Sequence, residues 1–170
     1  MKILLITLLF TSFITAQNGH LNAIDMVKMN YTKAKVLNWY EGSKKFELIK
    51  DDKGILVYKG GDCFIDWPVY LTVYSFNDKD EITQVVVSLA DTTKDDAFLF
   101  PEVLNKFRQW YGREIEVKEV DDGMRYYYWY FGDEMKEADR MMFVSKNMNR
   151  TSPTVITQVD LRKIKLEDLK

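Results

Sequence analysis

The residues able to make or break bonds are few. One histidine, His20, and one cysteine, Cys63, supply neither a conventional zinc cluster nor a disulfide framework, and any nucleophile–base machine would have to use these two. His20 lies near the N-terminus. Cys63 reads as a small, half-buried apolar residue at a strand start, with nothing nearby in sequence to lower a thiol pKa. Paired acids recur at Asp51-Asp52, Asp95-Asp96 and Asp121-Asp122, with Asp78, Asp80 and Glu81 of similar type. A calcium loop needs alternating oxygen ligands, a central Gly and a distal Glu in register, and none of these runs has that form, so they read as hairpin turns and helix caps. Asp66, Glu116 and Glu119 would be the material for a glycosidase carboxylate pair, but nothing in their spacing selects them. Gly-rich phosphate loops, Gly-x-Ser-x-Gly elbows and His-Glu-x-x-His helices are absent. The expectation is a non-enzymatic chain without catalytic residues, metal or cofactor.

Binding chemistry is more plentiful. Aromatic side chains make up 14% of the 170 residues, and six of them stand in one run, Tyr126-Tyr127-Tyr128-Trp129-Tyr130-Phe131. With 24 basic and 26 acidic residues the net charge is −2, and no long basic run gathers nucleic acid or anionic lipid. The apolar content suffices for a packed core.

The N-terminus carries Lys2 ahead of an apolar stretch that runs to Ile14, followed by the small-residue site Thr15-Ala16 and polar Gln17-Asn18-Gly19. This is the pattern of a secretory signal peptide over 1–16. It is too short and too interrupted, at Thr11 and Ser12, for an unbroken span. The chain is therefore expected to be exported, periplasmic or extracellular, with no membrane insertion after signal cleavage.

The remainder carries one pattern twice. Asn38-Trp39-Tyr40 matches Gln109-Trp110-Tyr111 at a shift of 71, and Asp51-Asp52 matches Asp121-Asp122 at 70, each pair followed closely by Gly54 or Gly123. Leu71 to Asn77 lies over Met141 to Asn147 at 70, and Ile82-Thr83-Gln84-Val85 recurs letter for letter as Ile156-Thr157-Gln158-Val159 at 74. Each copy reads as a helix, Asn22 to Trp39 or Phe100 to Trp110, stopped at Gly42 or Gly112, with Pro101 suited to the first helical position. Four strands follow: Phe46–Lys50, Ile55–Lys59, Pro68–Phe76 and Glu81–Leu89, then Arg113–Val120, Met124–Phe131, Arg140–Lys146 and Thr154–Arg162. The predicted fold is α+β: two tandem α-β-β-β-β repeats, 17–90 and 91–170, each a helix packed on a four-stranded antiparallel sheet, expected to be joined as one unit because either alone would be marginal.

Strand period two separates the faces. Leu71, Val73 and Ser75, with Met141, Phe143 and Ser145, are expected to face the helix, as are Thr83, Val85 and Val87 with Thr157, Val159 and Leu161. Tyr127, Trp129 and Phe131 join them. The helix-free face then carries Tyr70, Tyr74, Phe76, Tyr126, Tyr128 and Tyr130 together with Arg140, Arg162, Gln84 and Gln158. Aromatic rings with Arg and amides are the composition of an interface. Two other arrangements stay open: the sheets packing face to face over these rings, or a register slip exchanging the sides.

Tandem helix-plus-four-strand units behind a signal peptide resemble the β-lactamase-inhibitor-protein class and the related PepSY-like exported proteins. That resemblance implies paired sheets forming a concave surface that grips a partner, here another exported or periplasmic protein, in the manner of an inhibitor or immunity factor. The alternative is a glycan or lipid held in an aromatic cleft between the repeats.

Overall fold

A computed structural model describes residues 29–60, 63–64, 67–89, 96–120, 122–132, 139–149 and 152–164; the expected signal peptide lies outside them. The elements are α1 (Lys33–Tyr40), β1 (Phe46–Asp52), β2 (Ile55–Gly60), β3 (Cys63–Phe64), β4 (Trp67–Phe76), β5 (Ile82–Leu89), α2 (Asp96–Tyr111), β6 (Glu116–Glu119), β7 (Met124–Phe131), β8 (Arg140–Asn147) and β9 (Thr154–Asp160). A single 3-10 turn, Leu161–Lys163, follows.

The fold is α+β, with two helices and an antiparallel sheet among the described residues. The sheet is continuous: its strand order is β1-β2-β4-β5-β9-β8-β7-β6, with the short β3 pairing only with β4. The two halves therefore share one sheet, joined by β5 against β9, where separate four-stranded sheets were expected. Joining two edge strands removes two rows of unpaired backbone groups, which is the physical gain over separate sheets.

Both helices lie on the same side. Helix α1 is capped by Thr32, whose hydroxyl accepts from the Lys35 amide, and it buries Val36 and Tyr40, one turn apart. Of the expected helix Asn22–Trp39, residues 22–28 lie outside the described residues, and α1 starts at Lys33 because Tyr31 and Thr32 are held to β5 instead: Thr32 bridges to Glu81, and the Ile82 amide donates to the Tyr31 carbonyl. Helix α2 buries Phe100, Val103, Leu104, Phe107 and Tyr111 on one stripe. It begins at Asp96, so Pro101 falls inside the helix and not at its first position. Both helices stop where foreseen, at Gly42 (φ +74°) and Gly112 (φ +79°).

Candidate functional site

Residues opposite one another in neighbouring strands share a face. Trp129 is buried against Phe107 of α2, their ring centroids 5.6 Å apart, and its Nε1 donates to the Gly112 carbonyl at 3.0 Å. From Trp129 the register carries the helix side across the sheet through Met142, Gln158, Val85, Tyr74 and Leu56. At the far end Tyr74 meets α1, where its hydroxyl and that of Tyr40 share a buried hydrogen bond of 2.6 Å.

The opposite face is crossed by three rungs. The middle one runs Tyr128, Phe143, Thr157, Val86, Val73, Val57. Beside it lie Tyr126, Ser145, Val155, Ser88, Leu71, Lys59 on one flank and Tyr130, Met141, Val159, Gln84, Ser75, Ile55 on the other. Neither described helix lies on this side. The tyrosine rings form a row along β7, with Tyr126 and Tyr128 stacked at 6.2 Å, Tyr128 and Tyr130 at 6.1 Å, and Phe143 against the first two. All three tyrosines are half-buried, while Thr157 and Val159 form a buried floor in the centre.

Charge is distributed unevenly here. The face carries no ionisable side chain on β4, β5, β9 or β8 in these rungs, and its charges sit on the outer strands, at Glu47, Lys50, Asp52 and Lys59 on one flank and Glu116 and Lys118 on the other. Lys118 Nζ stands 5.4 Å from the Tyr128 ring centroid, and the Tyr130 hydroxyl donates to Glu116 Oε2 at 3.1 Å. Burial, followed by that bond to Glu116, pushes the Tyr130 phenol up to about 12; burial also raises Tyr128. Both hydroxyls therefore stay protonated and neutral at physiological pH.

Five of the eight expected site residues are placed differently from the sequence reading or apart from the row. Tyr74 and Phe76 point to the helix side and are core. Both faces of this strand are apolar, so alternation did not show which one the helices cover, and a bulge between Val69 and Leu71 takes Tyr70, which is 52% exposed, out of phase with the residues that follow. Leu71, Val73, Met141 and Phe143, expected under the helices, lie on the helix-free face. Arg140 opposes Asp160 on the helix side. Arg162 is not in the sheet: β9 ends at Asp160, whose carboxylate accepts from the Arg162 amide and guanidinium and starts the 3-10 turn. Gln158 likewise belongs to the helix side, and Thr157 and Val159 to the other. Tyr126, Tyr128 and Tyr130 alternate with the buried Trp129 and lie half-buried on the helix-free face.

The junction between the halves also carries a cleft of about 460 Å³, and it is polar, not aromatic. Arg140, Asp160, Arg162 and Lys163 line it on one side and Asn30 and Glu81 on the other. Lys163 Nζ donates to the Met29 and Ile82 carbonyls at 2.9 and 3.3 Å, tying the two halves together. Burial pushes the Asp160 carboxyl up, but the Arg162 hydrogen bond and charge outweigh it and hold it below its ordinary value. A mixed cleft of about 560 Å³ lies within the first half, between α1 and β1–β2, bordered by Leu37, Tyr40, Phe46, Leu48 and Tyr58 with Asn38 and Glu41. Among the described residues no three His, Cys, Asp or Glu side chains gather as a metal site, and no helix is long and apolar enough to cross a membrane.

No protein-family model matches the chain, and no curated protein matches its sequence. Among solved structures, a DUF4309 family protein (YjgB) from Bacillus subtilis is similar over 87% of this chain and 92% of its own, at 14% identity and a TM-score of 0.48. The β-lactamase-inhibitor-like and PepSY-like class has no support in these comparisons.

Proposed function

We propose that this chain is an exported, non-enzymatic binding protein that recognises another protein through the helix-free face, in the manner of an inhibitor or immunity factor, and that its two halves are duplicated copies of one α-β4 unit. The observation that carries the recognition reading is the charge pattern: a neutral centre of aromatic and aliphatic side chains on β7, β8, β9, β5 and β4, with Glu and Lys confined to the outer strands. Depletion of charge at the centre and a polar rim are the anatomy of protein interfaces. Eight strands at about 4.8 Å and about six residues of 3.3 Å each give a face of roughly 750 Å². That matches the area one partner contributes to a standard interface, about 800 Å². A small ligand would use far less of it. The tyrosine row adds rigid rings that carry neutral hydroxyl donors, suited to an interface that is partly wet. Duplication is favoured by the same order of helix and four main strands in each half, and by Tyr40 and Tyr111 closing the two helices against aromatic residues of their own half.

The test is site-specific photocrosslinking in the native cell. A photoreactive residue at Val86 or Tyr128 is expected to give one shared adduct with a distinct protein, absent when the probe replaces Asn105 on the exposed side of α2. No adduct at either face position, or the same adduct from Asn105, overturns the reading.

A further inference from the structure

The three rungs have a property that recognition of another protein does not require: read from the two ends, every aromatic side chain on β7 and β8 pairs with an aliphatic or slender one on β2 or β4, and the central pairs on β9 and β5 are small or of medium size. Counting inward from β7 and from β2, Tyr128 pairs with Val57, Phe143 with Val73 and Thr157 with Val86. In the flanking rungs Tyr130 pairs with Ile55 and Met141 with Ser75, while Ser145 pairs with Leu71 and Tyr126 with Lys59. The strand order is itself symmetric about the β5–β9 junction, so these are the positions that a two-fold axis parallel to the strands and lying along that junction would bring face to face. We infer that, when no other partner is present, a second copy of the chain covers this face, the two sheets stacking about such an axis as a sandwich with the aromatic β7–β8 half of each copy over the aliphatic β2–β4 half of the other.

Three features argue for a second copy as occupant. Large over small is what fills the roughly 10 Å gap between aligned sheets without voids or clashes, whereas an axis across the strands would set the tyrosine row on its own symmetry mate and valine on valine. The neutral centre meets itself with no like-charge contact, and the outer strands that meet, β1 and β6, bring Glu47 and Lys50 to Glu116 and Lys118, both signs on both sides. Two faces of roughly 750 Å² bury roughly 1,500 Å² in total, inside the range of about 1,200–2,000 Å² typical of stable, specific complexes. The arrangement is isologous and closed, so it yields a dimer and not a fibre.

This inference rests on reading the face as a recognition surface, and its test separates the two. In sedimentation equilibrium at about 100 μM, well above the micromolar Kd at the weak end for interfaces of this size, the purified protein is expected to have twice the monomer mass. Val57→Lys and Tyr128→Glu, which lie on opposite halves of the sheet, are each expected to be monomeric with unchanged circular dichroism. Mixed one to one they are expected to dimerise again, because one contact then sets the introduced ammonium against the introduced carboxylate and the other keeps the native Val57 and Tyr128. A monomeric wild type overturns the inference without any variant needing to fold. So does a dimer that survives either single change, or a mixture that stays monomeric. A monomeric wild type that still gives the Val86 and Tyr128 crosslinks to another protein leaves the proposed function standing. A dimer without those crosslinks removes that function and keeps the self-association.

Discussion

Adjacent residues on β7 should behave as though they belonged to different proteins. Trp129 is 1% exposed, stacked among Phe107 and its neighbours, and donates to the Gly112 carbonyl, so Trp129→Ala removes a full core ring and one hydrogen bond. Core Trp→Ala changes cost about 3–5 kcal/mol, and we take about 4 here because Gly112, at an exposed helix end, can turn its carbonyl to water. Tyr128 is half-buried and packs on Phe143 and on two rings of its own row; Tyr128→Ala should cost about 1 kcal/mol, the scale of an exposed aromatic cross-strand contact. Urea unfolding followed by circular dichroism, repeated at several protein concentrations so that a contribution from self-association shows as a concentration dependence, converts this to midpoint shifts of about 2 M and about 0.5 M for a slope of about 2 kcal/mol/M. If the tryptophan variant is too unstable to fold, Trp129→Phe should still shift the midpoint more than Tyr128→Ala. Equal shifts, or a larger one for Tyr128, would mean that the tyrosine row is core, and the recognition face would fall with it.

Two further outcomes follow from the buried polar contacts. Tyr74→Phe removes one end of the buried 2.6 Å bond to the Tyr40 hydroxyl and should cost about 1–2 kcal/mol, and a double-mutant cycle with Tyr40→Phe should show a coupling of about 1 kcal/mol in urea midpoints; additive losses would contradict the shared bond. The Arg108 fork, at 2.8 and 2.6 Å, holds the Glu114 carboxyl below its ordinary value; at Asp160 burial pushes the other way, and Arg162 more than offsets it. Lowered folded pKa values mean stability that is fully present above the ordinary carboxylate range near pH 4 and lost as pH falls through the lower folded values. The urea midpoint should therefore drop on acidification below about pH 4, less so in Glu114→Gln; a midpoint flat from about pH 6 to about pH 3 refutes this.

How far the sequence could be read depended on whether a strand's two faces differ. Turns and stops were legible because Gly42, Gly54, Gly112 and Gly123 all take positive φ, which only glycine adopts without strain. Strand β7 was legible on both sides because its alternate aromatics could be anchored to the helix through Trp129. In β4 and β8 both faces are apolar, Leu71 and Val73 against Tyr74 and Phe76, Met141 and Phe143 against Met142 and Val144, so alternation named two faces but not which was covered, and the β4 bulge moved the count by one. The tetrapeptide shared by β5 and β9 misled most: Gln84 and Val85 lie on the free and helix sides, their namesakes Gln158 and Val159 on the helix and free sides. Antiparallel pairing of β5 with β9 puts Val85 opposite Gln158, so an even shift between the two strands reverses the faces. The signal that could have marked this face was the absence of charged side chains from its positions on β4, β5, β9 and β8, Leu71, Val73, Ser75, Gln84, Val86, Ser88, Val155, Thr157, Val159, Met141, Phe143 and Ser145.

A two-layer fold needs one apolar sheet face, the one under its helices, and that requirement is met here by Leu56, Tyr58, Tyr74, Val85, Val87, Met142, Val144, Ile156 and Trp129. The far side could carry Thr, Lys and Glu at every alternate position without losing a single contact to α1 or α2. It carries instead a neutral strip several strands wide. The edges of the same sheet limit pairing with further strands, with a four-residue β6 and a bulge between Leu48 and Lys50 in β1. Edges blunted against further strand pairing leave the helix-free face, and not the rim, as the place where the proposed recognition and stacking would occur.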